Sequence, residues 1–182
     1  MSRLASLLPV ALLTLLSACA TGPTKILLDP EVIAAGSSLG SGQTVQLQVS
    51  SLPSSAATGQ PHFDLERPVT VTVKEKLAGG LAAHHFQVSD ASAERQFVVT
   101  IQKAEHQISH TVLRDTIAVE TVIEFKAITP AGTRSRTFND KRSREVGGTA
   151  SLGEVSGEMN QSLGHVLARA LNDAELIAFL GQ

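Results

Sequence analysis

In the stretch TIAVETVIEFKAI, residues 116–128, side chains suited to a buried strand face fall at every second position: Ile117, Val119, Thr121, Ile123 and Phe125. A period of two belongs to a β-strand with one apolar face, whereas a helix repeats its apolar stripe every 3.6 residues. The flanks extend the pattern. Phe97, Val99 and Ile101 alternate in QFVVTIQKAE (96–105), and TPAGT (129–133) reads as a turn with Pro130 second and Gly132 fourth. RSRTFNDKRSREV (134–146) then returns as the antiparallel partner, which predicts a three-strand meander.

A helix follows. Ser151-Leu152-Gly153-Glu154 has the spacing of a capping box, in which the serine hydroxyl and the glutamate each satisfy a backbone N–H of the first turn. Behind it Val155, Met159, Leu163, Val166, Leu167, Ala170 and Leu171 recur at helical spacing over about five turns. ELIAFL closes the chain as a short apolar tail. Upstream, TVQLQV alternates as a strand between two Ser/Gly/Pro-rich loops, 36–42 and 50–61. RPVTVTVKEKLAGGLAAHHF (67–86) supports two readings. Val69, Val71 and Val73 alternate as in a strand, while Leu65, Val69, Val73, Leu77 and Leu81 recur every four residues as on a helix. Pro68 suits a first helical turn, and Gly79 and Gly80 weaken a helix by about 1 kcal/mol each.

The first twenty residues set location. Arg3 precedes an uncharged run from Leu4 to Leu16, too short to span a bilayer core, which takes about 20 apolar residues. Leu16-Ser17-Ala18 then leads into Cys19, the single cysteine of the chain. This arrangement resembles the lipobox of bacterial lipoproteins. The resemblance implies cleavage of residues 1–18, acylation of Cys19, and covalent acyl chains as the only cofactor. It implies residues 19–24 as lipidated terminus and tether, and 25–182 as a single periplasmic domain. Each buried methylene contributes about 0.8 kcal/mol, so three chains make the attachment effectively permanent where one holds only marginally. With Cys19 so used, the mature domain has no disulfide and depends on its core. Ala20, in place of an inner-membrane-retaining aspartate, points to the outer membrane.

Composition excludes several classes. The formal charge is −2, and losing Arg3 makes it one unit more negative, against the basic excess expected of nucleic-acid binders. There is no Trp and no Tyr, so stacking platforms for bases or glycans are scarce.

The order of lipobox, brief strand, loop, TVQLQV, a helix ending in His85-Phe86-Gln87-Val88, meander, capped helix and final IAFL resembles the YajG-like family of bacterial lipoproteins. The likeness spans nearly the whole mature chain. It implies that 65–84 is the helix. It also implies an α+β domain, a small mixed or antiparallel sheet of about four to five strands with two helices packed on one face. The family usually has glycine where His85 stands. It supplies no catalytic residues.

Candidate chemistry is thin. Gly36-Ser37-Ser38-Leu39-Gly40 fits the letters of a nucleophile elbow, but a flexible loop leads into a strand there, where the elbow needs strand then helix. Gly148 to Gly153 has phosphate-loop spacing, yet Glu154 stands where lysine is required. His106 and His110 are four apart on a segment leaving a strand, where that offset spans about 13 Å rather than making a metal pair. His84 and His85 suit a helix C-terminus, and His62 and His165 stand elsewhere.

Arg134, Arg136, Lys141, Arg142 and Arg144 crowd one hairpin strand. They read as an edge strand kept soluble by charge, and also as a patch for lipid headgroups, lipopolysaccharide or an acidic partner. The expectation is a non-enzymatic, lipid-anchored accessory or binding module of an envelope protein assembly. The alternatives are a binder of lipid, lipopolysaccharide or muropeptide in a sheet–helix groove and, more remotely, an envelope hydrolase, for which no serine or carboxylate beside a base is visible. The oligomeric state is open.

Overall fold

The computed structural model describes residues 25–53 and 63–182. The leader, Cys19, the tether, His62 and most of the 50–61 loop lie outside the described residues. The elements are β1 (Thr44–Ser51), α1 (Val69–Ala83), β2 (Gln87–Ser89), β3 (Arg95–His110), β4 (Arg114–Thr129), β5 (Gly132–Gly147), α2 (Leu152–Leu171) and α3 (Ala174–Leu180). The strands form one mixed sheet in the order β2-β1-β3-β4-β5. β2 and β3 flank β1 in parallel, and β3, β4 and β5 make the antiparallel meander. The α+β class and the meander are as expected. The tail read as ELIAFL is a third helix, capped where Asp173 accepts the Leu176 N–H at 2.9 Å.

The alternation of β4 governs the core. Its odd-numbered residues from Asp115 to Thr129 are buried, and the even-numbered ones between them are half-buried. Phe97, Phe125 and Phe138 carry ring contacts across β3, β4 and β5, with centroids 5.9 Å apart in each step. Val73, Leu77 and Leu81 of α1, Val155, Leu163 and Leu167 of α2, and Leu176, Ile177 and Leu180 of α3 supply the rest of the buried core. A bulge between Ile101 and Lys103 shifts the register of β3 by one residue. An extra residue exchanges the two faces of a strand. Ala104, His106, Ile108 and His110 therefore oppose the inward residues Thr121, Val119, Ile117 and Asp115.

Residues 69–83 resolve as a helix. The four-residue spacing wins because it buries Val73, Leu77 and Leu81 together, leaving Val71 largely exposed. The helix starts at Val69 rather than 65: Pro68 is its extended N-cap, and Leu65 bridges Ile26 upstream. Gly80 has a packing reason, since a Cβ there would overlap the Leu171 side chain of α2.

The end of α1 is a Schellman motif. Phe86 N–H donates to the Leu81 carbonyl at 3.1 Å and His85 N–H to Ala82 at 2.9 Å. The residue at the left-handed position is His85, with φ of 64°. Histidine sits where glycine would be unstrained.

Residues 25–35 form an extended strap over the helices. Ile26 and Leu28 are buried beneath it. The Asn160 side chain accepts the Asp29 N–H at 2.8 Å, and Asn172 accepts the Ala35 N–H at 2.6 Å and donates to the Ile33 carbonyl at 2.9 Å. Gly164 of α2 lies directly under the Glu31 carbonyl, where a Cβ would come within 2.5 Å.

Candidate functional site: the arginine-bearing edge strand

β5 is an edge strand, and its pairing with β4 sorts the five basic residues by face. Arg134, Arg136, Arg142 and Arg144 stand opposite Ala127, Phe125, Val119 and Ile117, on the helix side. Lys141 stands opposite Glu120, on the other face. The structure thus puts four of the five on one face, as two pairs about 20 Å apart along the strand, and the fifth on the other.

Each of the four arginines meets a carboxylate. Arg134 and Arg136 converge on Glu175 of α3 at 3.2 and 2.6 Å. Arg142 donates to Asp140 at 2.6 Å and to Gln161 of α2 at 2.8 Å, and Arg144 reaches Glu158 of α2 at 3.2 Å. Glu158 is only 8% exposed, so a guanidinium beside it offsets a desolvated charge. Arg134 also lies 5.3 Å from the Phe179 ring centroid, and Arg169 of α2 stacks over Phe138 at 5.2 Å. Asp140 joins Arg142 of β5 to His165 of α2. Burial pushes its carboxyl up, but hydrogen bonds from Arg142, His165 and Ser162 outweigh this and hold it below the ordinary value. The arginines fasten the sheet edge to α2 and α3, and an incoming phosphate must compete with carboxylates already in place.

None of the partners Glu158, Asp173 or Glu175 could be assigned from the strand's own pattern, because they arrive from helices that follow it in the chain. Their signal was acidic residues on the polar stripes of those helices.

The other candidates are accounted for by local contacts. His106 and His110 lie within β3 rather than beyond its end. His106 Nε2 accepts the Phe63 N–H at 3.2 Å, and its ring stacks on Phe63 with centroids 6.3 Å apart. His110 Nδ1 lies 2.7 Å from Asp115. Among the described residues no group of three or more His, Cys, Asp or Glu is placed to hold a metal ion. The loop 36–42 leads into β1. Glu154 completes the capping box, accepting the Ser151 N–H at 2.9 Å while its own N–H donates to the Ser151 hydroxyl at 3.3 Å.

One serine–histidine contact was invisible in the sequence. Ser37 Oγ lies 2.7 Å from His84 Nδ1, 47 residues away. His84 is 3% exposed, and its Nε2 is buried without a hydrogen-bond partner among the described residues. The contact pins the loop before β1 to the end of α1.

The space between sheet and helices is filled by the core side chains. At its margin Phe63, Leu65, Val69, Ala104, His106 and Met159 help line a pocket of about 160 Å³. Small-molecule sites usually enclose about 300–1,000 Å³.

A mixed sheet backed by helices on one face, with its edge arginines neutralised internally, defines a two-layer α+β domain. Residues 30–181 match the model of a family described as uncharacterized lipoprotein, and the chain belongs to that family. The YajG-like resemblance agrees with this membership. Among solved structures, protein XCC0632 from Xanthomonas campestris shares the fold at a TM-score of 0.64. Its identity is 14%, with 86% of this chain and 96% of that chain covered. An uncharacterized protein of known crystal structure follows at 0.54, with 12% identity and 82% and 97% coverage. A minor lipoprotein from Acinetobacter baumannii is similar at 0.41, with 14% identity and 76% and 92% coverage. The comparison with curated proteins gave no match. Among the described residues no helix is long and apolar enough to cross a membrane.

Proposed function

We propose that this chain is a non-enzymatic lipoprotein of the bacterial envelope. It is cleaved before Cys19, acylated there, held on the periplasmic face of the outer membrane, and works as an accessory module that binds a protein of an envelope assembly. The observation that carries the reading is membership of a lipoprotein family over residues 30–181, in a chain whose one cysteine follows Leu16-Ser17-Ala18.

The surface assigned to the partner is the sheet face opposite the helices. Lys103 and Glu120, 3.1 Å apart, lie there with Glu124, Lys126, Thr137 and Lys141. Such a mixed polar surface suits a hydrated protein contact better than an acyl chain. The four helix-side arginines are assigned to holding and protecting the sheet edge, since their charge is spent on Asp140, Glu158, Asp173 and Glu175.

The test is made in cells. A photo-crosslinking residue at Thr137 or Lys141 should trap one envelope protein, and Cys19→Ser should leave the membrane fraction or retain its leader. Unchanged membrane partitioning of Cys19→Ser with its leader removed ends the anchor reading. Crosslinks that return only random neighbours end the partner reading.

A further inference from the structure

β3 and β4 form a long hairpin whose turn is built from Val112 and Leu113. Val112 is 100% exposed and Leu113 is 79% exposed. The turn is firmly closed: Thr111 N–H donates to the Arg114 carbonyl at 2.9 Å, and the Thr111 hydroxyl donates to that carbonyl at 2.6 Å. Gly148 N–H donates to the Leu113 carbonyl at 3.2 Å. Two adjacent apolar side chains are thus held out at a fixed point, flanked by His110 and Arg114.

The chain enters the domain on the same side of the molecule. Ile26 N–H donates to Asp64, next to Phe63, and Phe63 stacks on His106. Six residue steps, four of them in β3, lead from His106 to Val112, at most about 20 Å at 3.3–3.4 Å each. A second route agrees. The Leu27 carbonyl is held by Ser156, about 7.5 Å of helix from Ser151. Ala150 is bonded to Asp115, three residue steps or at most about 10 Å from Val112. Both routes put the tip at the same end of the molecule as the start of the strap, at most about 17–20 Å along the elements from it. Fully extended, the six steps from Cys19 to Lys25 reach about 20 Å.

We infer that the Val112–Leu113 tip is a second membrane contact, dipping into the leaflet in which the Cys19 acyl chains are anchored. The tether is long enough to let the tip touch that surface and too short to let the domain drift far from it. Two contacts, one covalent and one apolar, fix orientation: the hairpin stands on the bilayer, and the Pro130–Ala131 turn points away. The inference rests on the anchor reading of Cys19.

The chain has no tryptophan, so an introduced indole is the sole such reporter. Full-length acylated V112W, L113W and A131W are extracted from membranes and reconstituted into phosphatidylethanolamine–phosphatidylglycerol vesicles carrying brominated acyl chains. Acylation of Cys19 is checked by mass on the same samples. The expected result is a blue shift and strong quenching for V112W and L113W, with A131W unshifted and unquenched. Acylated protein with all three indoles unquenched overturns the tip contact and leaves the anchor standing. Equal quenching of tip and A131W, as for a domain lying flat, overturns it as well. Absence of acyl mass on Cys19 defeats the anchor reading and this inference with it.

Discussion

Asp115 accepts the backbone N–H of Ala150 at 2.7 Å, tying the start of β4 to the residue before the cap of α2. Its other oxygen faces His110 at 2.7 Å. The Ala150 hydrogen bond, aided by His110, outweighs burial and holds the carboxyl below its usual value of 3.8. A carboxylate lowered in the folded state contributes stability that is complete above the unfolded value. That contribution is lost as pH falls through the folded value. The chain should therefore lose stability from about pH 4 downward. Asp115→Asn should unfold at lower urea near neutrality and show a shallower further loss on acidification. An acid limb as steep as in the unsubstituted chain would assign the effect to other carboxylates.

His85 occupies the left-handed position of the Schellman motif, with φ of 64°. An L-residue pays about 1–2 kcal/mol there, part of which glycine loses to its greater freedom when unfolded. His85→Gly should raise stability by about 1 kcal/mol, read as a higher urea midpoint with an unchanged slope. A drop in the midpoint would mean that the imidazole makes a compensating contact.

The arginines of β5 are predicted to act on the fold rather than on lipid. Arg134 and Arg136 are each more than a third exposed, so solvent screens their shared bond to Glu175. Replacing both with glutamine should cost about 1 kcal/mol or less. The double variant should aggregate sooner, because a long edge strand loses its charge. Co-sedimentation with anionic vesicles should be unchanged. Loss of vesicle binding without loss of stability would restore the headgroup-patch reading.

Local pattern carried β4 and α2 because each has one dominant period, and β5 followed as the return from the Pro130–Gly132 turn; the Ser151–Glu154 box marked the start of α2. It left 67–86 open because valines at 69, 71 and 73 satisfy periods of two and four at once. Only the packing partners Leu171 and Ile26 decide between them. The parallel pairing of β1 with both β2 and β3 depends on a crossover that no local spacing records. The bulge after Ile101 exchanges faces with a single extra residue, so the inward placement of His106 and His110 could not be counted out from Phe97. The edge arginines were visible as a charge run, but apart from Asp140 on the strand itself their carboxylate partners come from α2, α3 and the cap of α3.

The strap over α2 has a mechanical corollary. Its polar clasps come in succession, first the backbone bridge of Ile26 to Asp64 and Glu66, then Ser156 and Asn160, and at the far end Asn172. A tug from the direction of Lys25 loads the nearest clasp first and peels the seam like a zipper. The long antiparallel sheet has no part in that path. Hauled at by its own leash, such a molecule would shed this outer ribbon while the strands beneath stayed registered.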